Sequence, residues 1–264
     1  MEIQCIHFDL DSVLYIPATF LKNTLGLAVK TMIEHGLRAE PAEALHTLRE
    51  IRSVDSNAGD HFDRLCKFYN GVEDPIIIAS GVEKYWDCKS GNMMAAPGAY
   101  SVLEALSHTY RLTIVSNGRP VKQAAKLVRL DLARFFTFHD PDRDIQLNLF
   151  YATDDPARAK PYPYLWEQAQ RERPYSFEKA LMVGDRYWAD ILGAKLLGMT
   201  TVKIQQGEHR HETIEDAYRK NSRSPFLSGS KKDREEILAA MIPDFTIETL
   251  QELPAVIEQL TRNI

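Results

Sequence analysis

The sequence predicts an α/β protein: a doubly wound parallel sheet whose first strand is separated from the others by an inserted α-helical cap domain. Three observations carry that expectation. Residues 3–8 form an apolar run without polar alternation, the pattern of a strand covered on both faces. About eighty residues of helical periodicity follow. After Pro97-Gly98, strand-like and helix-like segments alternate to the end of the chain, as parallel strands joined by crossover helices do.

Composition bounds what such a protein does. With 264 residues the chain suffices for one large domain or two small ones. Hydrophobic residues make up 44% and charged residues 26%, ordinary values for a globular protein. The formal net charge of −5 leaves no basic footprint, so no nucleic-acid partner is expected. Cys5, Cys66 and Cys88 are scattered and odd in number, which fits a reducing compartment, and Cys5 reads as a small core residue. No apolar run reaches the roughly 18 residues of a membrane span, and the N-terminal stretch lacks the pattern of a secretory signal. A cytoplasmic protein with no membrane partner, monomeric or homodimeric, is expected.

The first strand ends in Asp9 and Asp11. Carboxylates two apart on an extended chain point to one side, an arrangement that suits a hard cation such as Mg²⁺. The same residues also serve as turn or N-cap groups at a strand-to-loop junction, and both readings stand at this point. The helical insert comes next. Leu21, Leu25, Ala28, Val29, Met32 and Ile33 lie on one helical stripe closed by Gly36, and Leu45, Leu48 and Ile51 mark a second helix with Pro41 in its first turn. Phe62, Leu65, Cys66 and Tyr69 mark a third, ended by Asn70-Gly71. A fourth runs from Asp74-Pro75 through Ile77 and Ile78, with Gly81 weakening it. These apolar stripes read as helix core rather than a cofactor box. The expected division is a core of residues 1–15 and 97–264 and a cap of residues 16–96.

The alternation then proceeds through a helix at 99–106, a strand at 111–115 ending in Ser116-Asn117-Gly118, a helix at 121–130 and a strand at 135–138. Residues 139–159 read as irregular, with a short strand within 145–151. Lys160-Pro161 opens a helix at 164–171, and a strand at 180–183 ends in Gly184-Asp185 before a helix carrying Asp190, Ala194 and Leu197. Strands at 201–204 and 245–247 and a helix at 249–260 complete it. Residues 207–242 interrupt the alternation and read as a polar, basic, solvated loop; His209 and His211 within it are weak as a metal pair.

Polar residues recur at the strand ends, where ligands bind in open α/β sheets. Asp9 and Asp11, Ser116 and Asn117, Lys160, and Asp185 with Asp190 each have a use in phosphoryl transfer. A carboxylate attacks phosphorus, a second moves the proton, and a hydroxyl, backbone N–H groups and a lysine hold the oxygens. Taken singly, Ser116 is also a turn residue, Lys160 a surface lysine and Asp190 an ordinary first-turn helix acid.

The order DLDSVL, IVSNG, Lys160-Pro161 and MVGDRYWAD resembles the four motifs of the haloacid dehalogenase-like (HAD) hydrolase superfamily, over nearly the whole chain. The resemblance implies a Rossmann-like core, a type C1 cap and a phosphatase of the C1-capped branch acting on a small phosphate monoester, of nucleotide or sugar-phosphate type, through an aspartyl-phosphate. It further implies Asp9 as nucleophile and Mg²⁺ ligand, Asp11 as general acid/base with its carbonyl on the metal, and Asp185 as a direct metal ligand. Ser116, the Asn117 backbone and Lys160 would bind phosphate, and Asp190 would be a metal-shell or lysine-orienting carboxylate. Dehalogenases of the superfamily replace the second acid of the first motif, so Asp11 favours a phosphatase. Ser12 stands where the family often has Asn or Gly. A phosphomutase and a weakly active phosphometabolite-binding protein share these motifs. The cap would hinge near Tyr15-Ile16-Pro17 and at Ala95 to Gly98 and supply specificity. Tyr15 either faces substrate or packs at that junction, and Trp188 either walls the site or packs its helix.

Overall fold

A computed structural model describes residues 2–16, 18–54 and 58–262, with residues 18–22 described by backbone alone. Pro17, expected at a hinge, and the Leu21 side chain, expected on the first helical stripe, lie outside the described residues. The chain divides into two compact units, Met1–Ile16 with Met94–Ile264, and Pro17–Met93.

Strand β1 (Cys5–Phe8) is buried at every position, as its unbroken apolar run requires. The inserted unit holds helices α1 (Ala18–Glu34), α2 (Pro41–Val54), α3 (His61–Asn70) and α4 (Pro75–Asn92). Leu25, Met32, Leu48, Phe62, Leu65 and Tyr85 pack its core. Gly81 does not interrupt α4. The Asp74 side chain caps the helix by accepting from the Ile76 and Ile77 N–H groups, with Pro75 at the first position. A Cβ at Gly81 would lie 2.6 Å from Met32 Sδ, so the absence of a side chain here makes room for the Met32 side chain of α1 against α4.

The larger unit continues with α5 (Ala99–Ser107), β2 (Arg111–Asn117), α6 (Pro120–Arg129), β3 (Thr137–Asp140), β4 (Ile145–Asn148), β5 (Phe150–Thr153) and α7 (Tyr164–Glu172). It ends with β6 (Ala180–Gly184), α8 (Gly193–Leu196), β7 (Thr200–Ile204), α9 (Ile214–Lys220), α10 (Pro225–Gly229), α11 (Arg234–Ala240), β8 (Phe245–Ile247) and α12 (Leu253–Arg262). Among the described residues the main sheet runs β5-β2-β1-β6-β7-β8, every neighbouring pair parallel. From β1 the chain builds outward through β2 and β5 on one side and through β6, β7 and β8 on the other. The switch in direction falls at β1, which leaves a crevice at its carboxyl end.

Two expectations are corrected. The segment 135–138 is strand only in its second half: Phe135 ends the short 3₁₀ turn Ala133–Phe135, Phe136 follows it, both are buried, and β3 begins at Thr137. β3 pairs antiparallel with β4 in a ribbon apart from the main sheet, whose edge is β5 instead. A short aromatic run fits a strand or a buried turn equally well, because four residues are too few to show a period. Residues 207–242 are also more ordered than their composition implies. Helices α9 and α11 each begin with a capping box, Thr213 with Asp216 and Asp233 with Glu236. Ala217, Ile237 and Met241 bury against Trp188 and Leu192, so Trp188 is a core residue of this segment. Among the described residues no helix is long and apolar enough to cross a membrane.

Candidate active site

The carboxyl end of β1 carries the first acid. The Asp9 N–H donates to the Val183 carbonyl at 2.9 Å, tying the residue to β6, and its side chain is buried. The chain then turns sharply, with Ser12 in the left-handed region at φ 61°. That conformation favours Asn or Gly over other residues, which is the physical reason a serine is unusual at this position.

Lys160 lies at the centre of the charged cluster and is itself buried. Its Nζ donates to Asp9 Oδ1 at 2.8 Å, to Asp190 Oδ1 at 2.5 Å and to the Val115 carbonyl at 2.7 Å, which uses all three of its N–H groups. Burial alone would lower its pKa, but Asp190 and Asp9 reverse the effect and hold it above the usual lysine range. The Asn117 side chain fixes the Lys160 backbone in both directions, Nδ2 donating to the Lys160 carbonyl at 2.9 Å and Oδ1 accepting from its N–H at 2.7 Å. Ser116, buried, precedes Asn117 at the end of β2, next to β1 in the sheet.

Asp185 follows the last residue of β6, and Asp190 lies in the π-type turn Tyr187–Leu192 that opens the next helix. Gly184 makes this turn possible: a Cβ there would lie 2.2 Å from Asp190 Cβ. Asp190 Oδ2 accepts from the Arg186 N–H at 3.0 Å, so both of its oxygens are engaged. Asp9, Asp185 and Asp190 each offer an oxygen within 4.8 Å of the others. Asp9 Oδ2 and both Asp185 oxygens are buried without a hydrogen-bond partner among the described residues. Burial pushes the Asp185 carboxyl well up, and Asp190 and Asp9 push it further. Asp9 is also raised, by burial above all, with Lys160 opposing.

Asp11 faces a different set of partners. Lys126 Nζ donates to its two oxygens at 2.6 and 2.8 Å, Gln123 Nε2 donates to Oδ2 at 3.1 Å, and the Tyr15 hydroxyl donates to Oδ1. Burial works to raise the Asp11 pKa, but Lys126, Tyr15 and Gln123 outweigh it and hold the carboxyl below its usual range.

The structure thus gathers Asp9, Lys160, Asp185 and Asp190 into one cluster, with Ser116 and Asn117 at the adjacent strand end, while the Asp11 carboxylate turns to α6. Tyr15 is buried and binds Asp11. His209 pairs with Glu212 at 3.1 Å and His211 is exposed; among the described residues neither joins a metal-binding group. Three residues escaped sequence reasoning. Arg186 is one, its guanidinium lowered by burial but raised beyond that by Asp9, Asp185, Asp190 and Asp11. Gln123 and Lys126 are the others. Their spacing of three places them on one face of α6, and Gln123 is buried there beside Leu127. A glutamine on a buried helix face needs a polar partner, and that was the available signal.

Comparisons with known proteins give the family and the fold. The HAD-hydrolase-like family model matches residues 157–225, which span Lys160, Asp185 and Asp190. The glyceraldehyde 3-phosphate phosphatase of Pyrococcus abyssi is 34% identical over 208 residues, 78% of this chain and 83% of its own. That of Methanocaldococcus jannaschii is 30% identical over 263 residues, 99% of this chain and 100% of its own. Among solved structures, the magnesium-bound HAD-hydrolase YfnB of Bacillus subtilis has the same fold, with a TM-score of 0.60, 20% identity, and coverage of 97% of this chain and 99% of its own. The fold and the strand-end acids define a HAD-type α/β hydrolase. The chain belongs to the HAD-like hydrolase family, and its class is that of the phosphoric monoester hydrolases.

Proposed function

We propose that the protein is a Mg²⁺-dependent phosphatase of small sugar phosphates, with glyceraldehyde 3-phosphate as the first candidate, acting through a phosphorylated Asp9. The observation that carries this reading is the pairing of a fully engaged Lys160 with carboxylate oxygens left uncommitted on Asp9 and Asp185. Buried carboxylates without partners are costly, and a hard cation with oxygen ligands is the group that satisfies them. Asp9, Asp185 and the Asp11 carbonyl would hold Mg²⁺, with Asp190 orienting Lys160. When bound, the ion would offset the negative charge shared by the phosphate and the acids.

The residues then divide the work. An Asp9 oxygen attacks phosphorus as the bond from phosphorus to the ester oxygen breaks, and Asp11, which must leave its pair with Lys126 and take up a proton to act, gives that oxygen its proton. Ser116, the Asn117 backbone N–H and Lys160 hold the non-bridging oxygens. In the second half, water attacks the phosphorus of the aspartyl-phosphate, Asp11 takes the water's proton, and the bond from phosphorus to Asp9 breaks to release phosphate. The named activity of the relatives supports the choice of substrate. The reading includes a cytoplasmic monomer or homodimer, in keeping with three unpaired cysteines.

The test is phosphate release across triose, pentose and hexose phosphates and nucleotides, with Mg²⁺ present. Release is expected to be fastest with a small sugar phosphate, to stop on chelation, and to fall by on the order of 10³-fold or more in Asp9→Asn. Full activity in that variant, or hydrolysis indifferent to chelation, would overturn the reading.

A further inference from the structure

Ser12 is buried and holds the left-handed conformation at φ 61°, one residue after Asp11. The other non-glycine residues with positive φ among the described residues are Asp131 and Asp144, of a type that tolerates it better. A serine in that conformation is held by its surroundings, and here they come from the chain leaving β7. Gln206 Nε2 donates to the Val13 carbonyl at 2.8 Å. Gly207, itself at φ 70°, lies directly against the Ser12 side chain. A Cβ added at 207 would fall 2.2 Å from Ser12 Oγ, 2.4 Å from its Cβ and 3.3 Å from its Cα. Rotating the hydroxyl away would not relieve that overlap, because the Ser12 Cβ is itself too near. Only glycine fits at 207 beside a serine at 12.

This clamp has a fixed base. The Gln205 N–H donates to the Ile247 carbonyl at 2.8 Å, which ties the chain leaving β7 to β8. Further on, Ala217, Ile237 and Met241 bury against Trp188 and Leu192. Within the clamped turn, the Leu14 N–H donates to the Leu10 carbonyl at 3.0 Å. The peptide unit joining Asp11 to Ser12 is planar, so the direction of the Asp11 carbonyl is set by ψ of Asp11 and φ of Ser12. We propose, resting on the reading of that carbonyl as a Mg²⁺ ligand, that Gln206 and Gly207 are positioning residues. They hold Ser12 left-handed and thereby keep the Asp11 carbonyl in place for the ion. The segment that interrupts the strand–helix alternation thus serves the site through its first residue.

The test is Mg²⁺ binding to the substrate-free enzyme by calorimetry, with the metal-free thermal midpoint measured beside it. Gly207→Ala is expected to bind Mg²⁺ on the order of 10- to 100-fold more weakly than the wild type, the usual loss when a group that orients a metal ligand is removed. Gln206→Ala introduces no overlap and should lose less, on the order of 5-fold, for one hydrogen bond. The double variant Ser12→Gly, Gly207→Ala removes the overlap and should recover most of the loss. Gly198, at φ 84°, has only the Glu178 side chain near an added Cβ, at 3.9 Å. Gly198→Ala therefore carries the backbone penalty without the contact, and should lower the thermal midpoint while leaving Mg²⁺ affinity unchanged. Equal affinity in the wild type, Gly207→Ala and Gln206→Ala would overturn the proposal and leave the metal reading standing. A loss in Gly198→Ala as large as that in Gly207→Ala, or no recovery in the double variant, would do the same. If Gly207→Ala does not fold, Gln206→Ala decides: weaker binding supports the clamp and equal binding overturns it. A wild type that binds no Mg²⁺ would overturn both.

Discussion

Lys160 is tolerated inside the protein because each of its N–H groups has an acceptor and two of those acceptors are charged. The reverse holds for Asp185, whose two oxygens have no donor among the described residues. That asymmetry within one cluster is what supports the proposal of a cation there. Asp9, Lys160, Asp185 and Asp190 were legible in the sequence because phosphoryl transfer needs those residue types at strand ends. Lys126 and Arg186 were not, because a basic residue in a helix or after a strand looks like a solvated one until its partners are known. His7 is a buried group of another kind, on β1 itself. Its Nδ1 bonds the Thr113 hydroxyl, its Nε2 has no partner among the described residues, and burial pushes its pKa down to about 3, with Arg111 and Lys160 adding to the effect. An unfolded histidine titrates near 6.5. Between those values the unfolded chain binds a proton that the folded protein refuses, so stability falls as pH falls through that window. The thermal midpoint of the wild type should therefore drop more steeply between pH 7 and pH 5 than that of His7→Gln; parallel curves would contradict this account.

At the scale of elements, patterning read correctly wherever a period had room to show itself. Helices α1 to α4 and the strands β1, β2, β6 and β7 all follow from runs long or apolar enough to declare their period. The failures were short or sparsely apolar. The aromatic run at 135–138 was too brief to distinguish a strand from a buried turn, and three buried residues, Ala217, Ile237 and Met241, anchor the segment 207–242 among many charged ones. Gly81 illustrates packing prevailing over propensity. A mid-helix glycine costs roughly 1 kcal/mol relative to alanine, yet here it admits the Met32 side chain, and Phe62 Cδ1 would lie 3.1 Å from an added Cβ. Gly81→Val is expected to destabilise the inserted unit by about 1–3 kcal/mol through overpacking. Hydrogen exchange should then quicken in α1 and α4 and remain unchanged in β1, β2 and β6. Equal acceleration in the sheet strands would show that the two units do not respond separately.

For the molecule as a whole, the decisive property is strand order. Because the chain builds outward from β1 in both directions, residues 9, 116, 160, 185 and 190 reach one end of one sheet although they are up to about 180 residues apart. The sequence disclosed the strands and their polar ends, and the alternation disclosed that they are parallel. Which residue touches which lay beyond it, since the reach of Lys160 to both Asp9 and Asp190 depends on the sheet order and on the Asn117 clamp. These contacts support the proposal that Asp9 is the attacking group. The most direct test mixes the enzyme with Mg²⁺ and its best sugar phosphate, quenches in acid within the first turnover, and maps phosphate by mass spectrometry of the acid-cleaved peptides. Phosphate is expected on Asp9, absent from Asp9→Asn and cleared when the substrate is exhausted. Steady turnover with no phosphate on Asp9 at any time, or phosphate on another residue, would contradict the account.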